Sequence, residues 1–171
     1  MKRATVYLGL GSNLEDKQGN LQDALEFLSH ESKIEKVSPV YDTAPVGNVN
    51  QPRFLNIACL IKTELSPSDL LAFTKGIEKK IGRKPGPKDS PRPIDIDILF
   101  YDNLVLETTK LIIPHPRLPE RAFVLAPLAD IAPDLKHPVS KKSVIQMLTE
   151  LQRTKGDAIV TKIKVQKATP K

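Results

Sequence analysis

Ten consecutive residues, Phe54–Thr63, are largely apolar on both faces of the strand they are predicted to form. Read with a period of two, Leu55, Ile57, Cys59 and Ile61 make one wholly apolar face, and Phe54, Asn56, Ala58 and Leu60 make the other. A strand of this kind needs cover on both sides. The chain is therefore expected to build a sheet with packed layers on either face. Phe54 and Asn56, near the start of the strand, mark where the second face turns polar.

The remaining pattern places this strand in context. Thr5–Leu10 reads as a strand that ends in the turn Gly9-Leu10-Gly11-Ser12-Asn13. Leu21, Ala24, Leu25 and Leu28 recur at helical spacing over residues 18–29. Lys33–Tyr41 reads as one strand, followed by a turn-rich loop from Asp42 to Pro52. Ser66 is suited to cap a helix that begins at Pro67 and ends at Gly82. Ile94–Tyr101 is a further strand, residues 104–113 a short hairpin arm, and Arg121–Leu128 and Ser143–Leu151 short helices. The order β-α-β-β-α-β, with two strands close enough for a hairpin, favours an α+β fold. Its sheet is expected to be mostly antiparallel and of ferredoxin-like type.

At 171 residues the chain is sized for one domain, expected over 1–152, with 153–171 a basic C-terminal strand or tail. That tail carries six bases and one acid, so most of the net charge of +6 lies there rather than on the body. Aromatics are few, at 5%. Both facts argue against a nucleic-acid partner, which would want a basic face interleaved with rings. No run approaches the length of a membrane helix, and Val6–Leu10 is too short for a signal-peptide core. The single cysteine, Cys59, excludes an internal disulfide and fits a reducing compartment, so a cytoplasmic protein is expected.

The segment Arg92-Pro93-Ile94-Asp95-Ile96-Asp97-Ile98-Leu99 carries the most chemistry. Residues two apart on a strand share a face, so the carboxylates of Asp95 and Asp97 converge. Converging carboxylates need a cation or a shared proton between them, and hard oxygen donors suit Mg²⁺. A solvated acidic strand face is the alternative. The preceding loop, Arg83–Pro93, holds four prolines, four bases and one acid. Its cations beside an acid pair make sense if a polyphosphate lies between them. Lys75 and Glu78 share a helix face, and by spacing alone they are a surface ion pair. His115, in Pro114-His115-Pro116, is a turn histidine unless its loop approaches the acid pair. The Gly-x-Gly at 9–11 lacks the third glycine of a dinucleotide fingerprint, and there is no Gly-Lys-Ser/Thr.

Taken together, Gly9-Leu10-Gly11-Ser12-Asn13-Leu14, Tyr41–Gly47, Gln51–Asn56, Ile77-Glu78 with Gly82-Arg83, Pro91–Leu99, and Pro114-His115-Pro116 with Arg121-Ala122-Phe123 resemble the 6-hydroxymethyl-7,8-dihydropterin pyrophosphokinase family of folate synthesis. The resemblance runs from about Val6 to Leu135. It implies a three-layer αβα sandwich of ferredoxin-like type. It also implies transfer of the pyrophosphoryl group of ATP to the hydroxymethyl oxygen of a reduced pterin, with release of AMP. By resemblance, Asp95 and Asp97 match the ligands of two Mg²⁺, and Asp95 also belongs to the substrate-binding set. Thr43, Ala44 and Val46 match the pterin-binding loop, Asn56 the reader of the pterin amide edge, and Phe54 and Phe123 the rings that sandwich it. Lys75, Glu78, Arg83, Arg92, Ile98, His115 and Arg121 match ATP-contacting positions. Arg83, Arg92 and Asp97 are the expected catalytic set.

The chain departs from the family in places. Lys75 stands where glutamine is frequent, and the 83–93 loop lacks the usual aromatic, with Asp89 about there. The implied partners are small molecules and the expected state is a monomer. A basic nucleic-acid module and a family member that binds without turnover remain as rival readings.

Overall fold

The doubly apolar strand forms at its expected bounds and lies inside a sheet covered on both faces. The computed structural model describes residues 2–45, 50–84, 86, 90–155 and 160–162. In chain order the elements are β1 (Ala4–Ser12), α1 (Lys17–Leu28), β2 (Lys33–Val37), β3 (Tyr41–Thr43), β4 (Phe54–Thr63), α2 (Pro67–Ile81), β5 (Asp95–Tyr101), β6 (Leu106–Glu107) and β7 (Ile112–Ile113). A 3₁₀ turn (Leu118–Glu120), α3 (Ala122–Ile131), α4 (Val144–Lys155) and β8 (Val160–Lys162) follow. The main sheet runs β5-β1-β4-β3-β8, with β2 also on β4, and every pairing in it is antiparallel. The α+β sandwich expected from the sequence is the one observed.

Strand parity decides which core each residue joins. On β1, Val6, Leu8 and Leu10 enter the core beneath α1 and α2, together with Ile57, Cys59 and Ile61 of β4. Tyr7 and Ala58 face the second core, formed with Leu125 and Leu128 of α3 and Met147, Leu148 and Leu151 of α4. Each fully buried Leu or Ile contributes roughly 1.5–3 kcal/mol. Cys59 is buried among these side chains, which pushes its thiol pKa up to about 12 and leaves it a packing residue.

One expected strand is two. Lys33–Tyr41 breaks at Ser38-Pro39-Val40, so that β2 and β3 lie one after the other along β4. Pro39 has no N–H to give. Ser38 bridges the gap: its N–H donates to the Ala58 carbonyl and its hydroxyl accepts the Ala58 N–H, each at 2.9 Å. Asp42 and Thr43, expected in a loop, are strand residues for this reason.

The end of α2 positions the site. Ser66 caps its start by accepting the Asp69 N–H at 3.2 Å, with Pro67 at the first helical position. Gly82 ends it at φ 116°, a conformation that glycine adopts without the Cβ penalty. The reversal throws Arg83 toward β5 while Glu78, one turn earlier, stays buried.

Candidate active site

The site begins with the absence of side chains. Gly11 pairs with Asn56 on one side and Asp95 on the other; Gly9 pairs likewise with Ala58 and Asp97. Because Leu8 and Leu10 point into the first core, both glycines face the opposite side of the sheet, and they form the floor of a hollow there. A Cβ on Gly11 would stand 2.6 Å from Asn56 Oδ1, closer than real Cβ contacts, so the floor needs glycine at this point. Phe54 and Asn56 of β4, Thr43 and Ala44 at the end of β3, and Phe123 of α3 form the walls of a cleft enclosing about 120 Å³. Asn56 is buried and its amide N–H donates to the Thr43 hydroxyl, which fixes the direction of the side chain.

The acid pair lines one end of this cleft, as strand parity requires. Burial, then the charge of Asp95, pushes the Asp97 carboxyl up to about 7. Asp95 is held by Arg83, whose Nη1 donates to Oδ1 at 2.7 Å and lies 3.2 Å from Glu78 Oε1. Burial works against the charge of Arg83, but Asp95 and Glu78 outweigh it and hold its pKa above the ordinary value. Glu78 accepts the Ile96 N–H at 2.8 Å, and burial raises its pKa. Among the described residues, Arg92 Nε is buried without a hydrogen-bond partner, 3.7 Å from Asp95 Oδ2. That separation is too long for a hydrogen bond and leaves a charged donor available to an anion.

The aromatic walls and the cations are physically joined. The guanidinium of Arg92 lies 5.0 Å from the centroid of Phe54, and that of Arg121 lies 5.4 Å from the centroid of Phe123. His115 reaches the acids as well, with Nε2 3.9 Å from Asp97 Oδ1. Its Nδ1 accepts the Arg117 N–H at 3.2 Å, so the ring proton sits on Nε2. Burial, then Arg121, pushes the His115 pKa down to about 4 and keeps the imidazole neutral.

A second cleft opens on the other side of Asp97. Lys75 and Leu71 of α2, Ile98 of β5, the 108–112 segment and His115 line it. Lys75 is 53% exposed, 3.5 Å from Glu78, so it is held only loosely. Asp97 and His115 belong to the lining of both clefts or stand at their junction.

Every expected site residue within the described residues lies in or beside these two clefts; the expectation for Val46 falls outside the described residues. Sequence reasoning missed two others. The sequence places Asn13 in a turn and in a family-like motif but assigns its side chain no role. Its side chain accepts the Arg92 N–H at 2.8 Å and donates to Gln51 Oε1 at 2.7 Å and to the Pro52 carbonyl at 3.2 Å. It thereby ties the loop before β5 to the loop before β4. Arg117 lines the first cleft and carried no signal beyond its place after Pro114-His115-Pro116. The two glycines offered a better clue, since alternate glycines inside a buried strand mark a surface kept clear for something else.

The donor set fits magnesium. Among the described residues, no three His, Cys, Asp or Glu side chains gather to hold an ion. Two neighbouring carboxylates, one of them reluctant to ionise without a cation, suit an ion that completes its shell with water and substrate phosphates.

A model of the 7,8-dihydro-6-hydroxymethylpterin-pyrophosphokinase family matches residues 7–133. The chain is similar to the 2-amino-4-hydroxy-6-hydroxymethyldihydropteridine pyrophosphokinase of Aquifex aeolicus, at 44% identity over 147 residues, 86% of this chain and 92% of that one. The Bacillus subtilis protein of the same name is 45% identical over 128 residues, 74% of this chain and 77% of that one. Among solved structures, wild-type Plasmodium falciparum HPPK-DHPS with pteroate matches at a TM-score of 0.75 and 18% identity, a likeness of fold. That match covers 92% of this chain but 44% of the solved one, so the chain spans under half of that larger protein.

Proposed function

The chain belongs to the 7,8-dihydro-6-hydroxymethylpterin-pyrophosphokinase family, which acts in folate biosynthesis, and from that premise we propose how its residues move the pyrophosphoryl group of ATP to 6-hydroxymethyl-7,8-dihydropterin. The observation that carries the reading is the juxtaposition in one cleft of a ring-sized slot, Phe54 and Phe123 with Asn56, and the acid pair Asp95 and Asp97. A flat heterocycle stacks between the rings while Asn56 and the Thr43–Ala44 backbone supply hydrogen bonds to its edge. Val46 joins this set by resemblance. The nucleotide lies in the second cleft, against Ile98 and Lys75, with its phosphates reaching toward Asp97 and His115.

The pterin hydroxymethyl oxygen bonds to the β-phosphorus, the bridge to the α-phosphate breaks, its oxygen leaves on AMP, and the hydroxyl proton passes to solvent. Asp95 and Asp97 would hold two Mg²⁺, whose charge offsets that of the triphosphate and favours the deprotonated hydroxyl. Arg92 has a donor to spare for the transferred group, and Arg121 stands beside Phe123 to meet it. Arg83 is committed to Asp95 and Glu78, so its first task is to hold Asp95 in place and its second to add positive charge. Glu78 fixes β5 through Ile96. Neutral His115 offers its Nε2 proton to a phosphate oxygen. Pre-set donors of this kind are the main source of rate in phosphoryl transfer.

All the described lining of the cleft comes from one chain, which supports a monomer, and the buried thiol of Cys59 suits a reducing cytoplasm. No described helix is long and apolar enough to cross a membrane. The test is conversion of ATP to AMP by the purified chain with magnesium, with and without the reduced hydroxymethylpterin. Pterin-dependent AMP formation is expected. AMP that forms at the same rate without pterin, or not at all, would remove the proposal.

A further inference from the structure

Three arginines, Arg83, Arg92 and Arg121, act on the acid pair, and a fourth at the same cleft has no internal task. Arg83 is engaged by Asp95 and Glu78; Arg92 donates to the Ser90 carbonyl at 2.9 Å and lies against Phe54; Arg121 lies against Phe123. Arg117 lines the same cleft, yet among the described residues its guanidinium has no hydrogen-bond or ion-pair partner. Its backbone, by contrast, is firmly held. The Arg117 N–H donates to His115 Nδ1, and its carbonyl accepts the Glu120 N–H at 3.0 Å at the head of the 3₁₀ turn. A fixed backbone that presents an unpaired planar cation at the rim of an anion-binding cleft is the arrangement that suits phosphate.

Location narrows the ligand. Arg117 lines the cleft of Phe54, Asn56 and Phe123 and does not line the one of Ile98 and Lys75. The acid pair and His115 stand at the junction between the two. A cation on the pterin side of that junction meets the terminal phosphates, not the adenosine monophosphate portion. We propose that Arg117 is a substrate-contacting residue that holds the β- and γ-phosphates of ATP, and that it keeps hold of the same diphosphate once it is esterified to the pterin. It forms and breaks no covalent bond. This rests on the functional reading above.

The test compares the wild-type chain with Arg117→Ala and Arg117→Lys. Calorimetric titrations with magnesium use two probes, α,β-methylene-ATP and AMP. In Arg117→Ala the affinity for the triphosphate analogue should fall about 10- to 100-fold, the range for a hydrogen bond to a charged group. Affinity for AMP should stay within about twofold, and Arg117→Lys should restore only part of the loss, because it keeps the charge without the fork. In turnover, kcat should fall while the KM for pterin holds. Equal losses for analogue and AMP would mean a merely structural role and overturn the proposal, as would no loss for either. If the wild type binds both probes but forms no pterin-dependent AMP, the functional reading fails, and the analogue-to-AMP contrast still decides whether Arg117 grips the terminal phosphates.

Discussion

The two faces of this sheet use the same strands for opposite ends. Beneath α1 and α2 the inward residues of β1 are Val6, Leu8 and Leu10, and those of β4 include Ile57, Cys59 and Ile61, all at or near full burial. On the other face the same two strands present Gly9, Gly11, Asn56 and Phe54, which α3 covers only in part. One face is filled and stabilises the fold. The other is left open over two glycines, and the acid pair stands at its margin. Alternation along a single strand therefore separates stability from chemistry, residue by residue.

If that division is right, substitutions on the two faces should fail in different ways. The largest effect is expected at the acid pair. Asp97→Ala or Asp95→Ala should cut kcat by at least ~10³-fold, since each removes a metal ligand as well as a charge. The metal-free Asp97→Ala protein should unfold no earlier than wild type, because burial disfavours the charge of Asp97 in the fold. Activity within tenfold of wild type in both variants would break the comparison at its open face.

On the filled face, Leu8→Ala should cost about 2–5 kcal/mol in urea unfolding. At a temperature where both proteins are folded, its kcat should remain within about twofold. A large loss of turnover without loss of stability would show that the faces are not independent.

Gly11→Ala probes the floor itself. Its new methyl would press on Asn56 Oδ1 at 2.6 Å, whereas the Gly9→Ala methyl would meet only the Leu99 side chain at an ordinary 3.5 Å. Gly11→Ala should raise the pterin KM by ~10–100-fold with little change in stability. Gly9→Ala should do less. The reverse order would place the ring away from Asn56.

The smallest effect concerns pH. The carboxyl of Asp97 lies near 7 in the fold and near 3.8 unfolded, so the folded chain holds the extra proton between those values. Its contribution to stability falls as pH rises through that window. The imidazole of His115 lies near 4 folded and 6.5 unfolded, so its contribution rises with pH from 4 to 6.5. In metal-free protein the two slopes oppose one another. Urea unfolding of Asp97→Asn from pH 4 to 7 should uncover stability that increases with pH, and His115→Gln should uncover the opposite trend. Identical profiles for the two variants would show that neither group carries the assigned shift.

Much of this was readable because the strands are unusually regular. Parity alone pairs Phe54 with Asn56 and Asp95 with Asp97, and Ser66-Pro67 with Gly82 marks both ends of α2. What could not be read depends on contacts distant in sequence. The break at Ser38 requires knowing that its hydroxyl meets Ala58. The neutrality of His115 depends on its own loop folding back and on Arg121. Asn13 joins three loops through one amide, and a single amide in a turn gives no hint of that. Arg83 looked like a phosphate ligand from its neighbours, and only the geometry reveals its attachment to Asp95 and Glu78.

The outer margin of β5 has a consequence of its own. Arg83 reaches toward the Ile94 carbonyl at 3.5 Å, Glu78 takes the Ile96 N–H, and the His115 N–H takes the Leu99 carbonyl at 3.1 Å. A border strand normally offers its bare backbone to any neighbouring chain, a recruiting point for misassembly. Here the groups that orient the acids also occupy that backbone, so a mutation made to retune the chemistry at Glu78 or Arg83 would also unseal the border and invite self-association at high concentration.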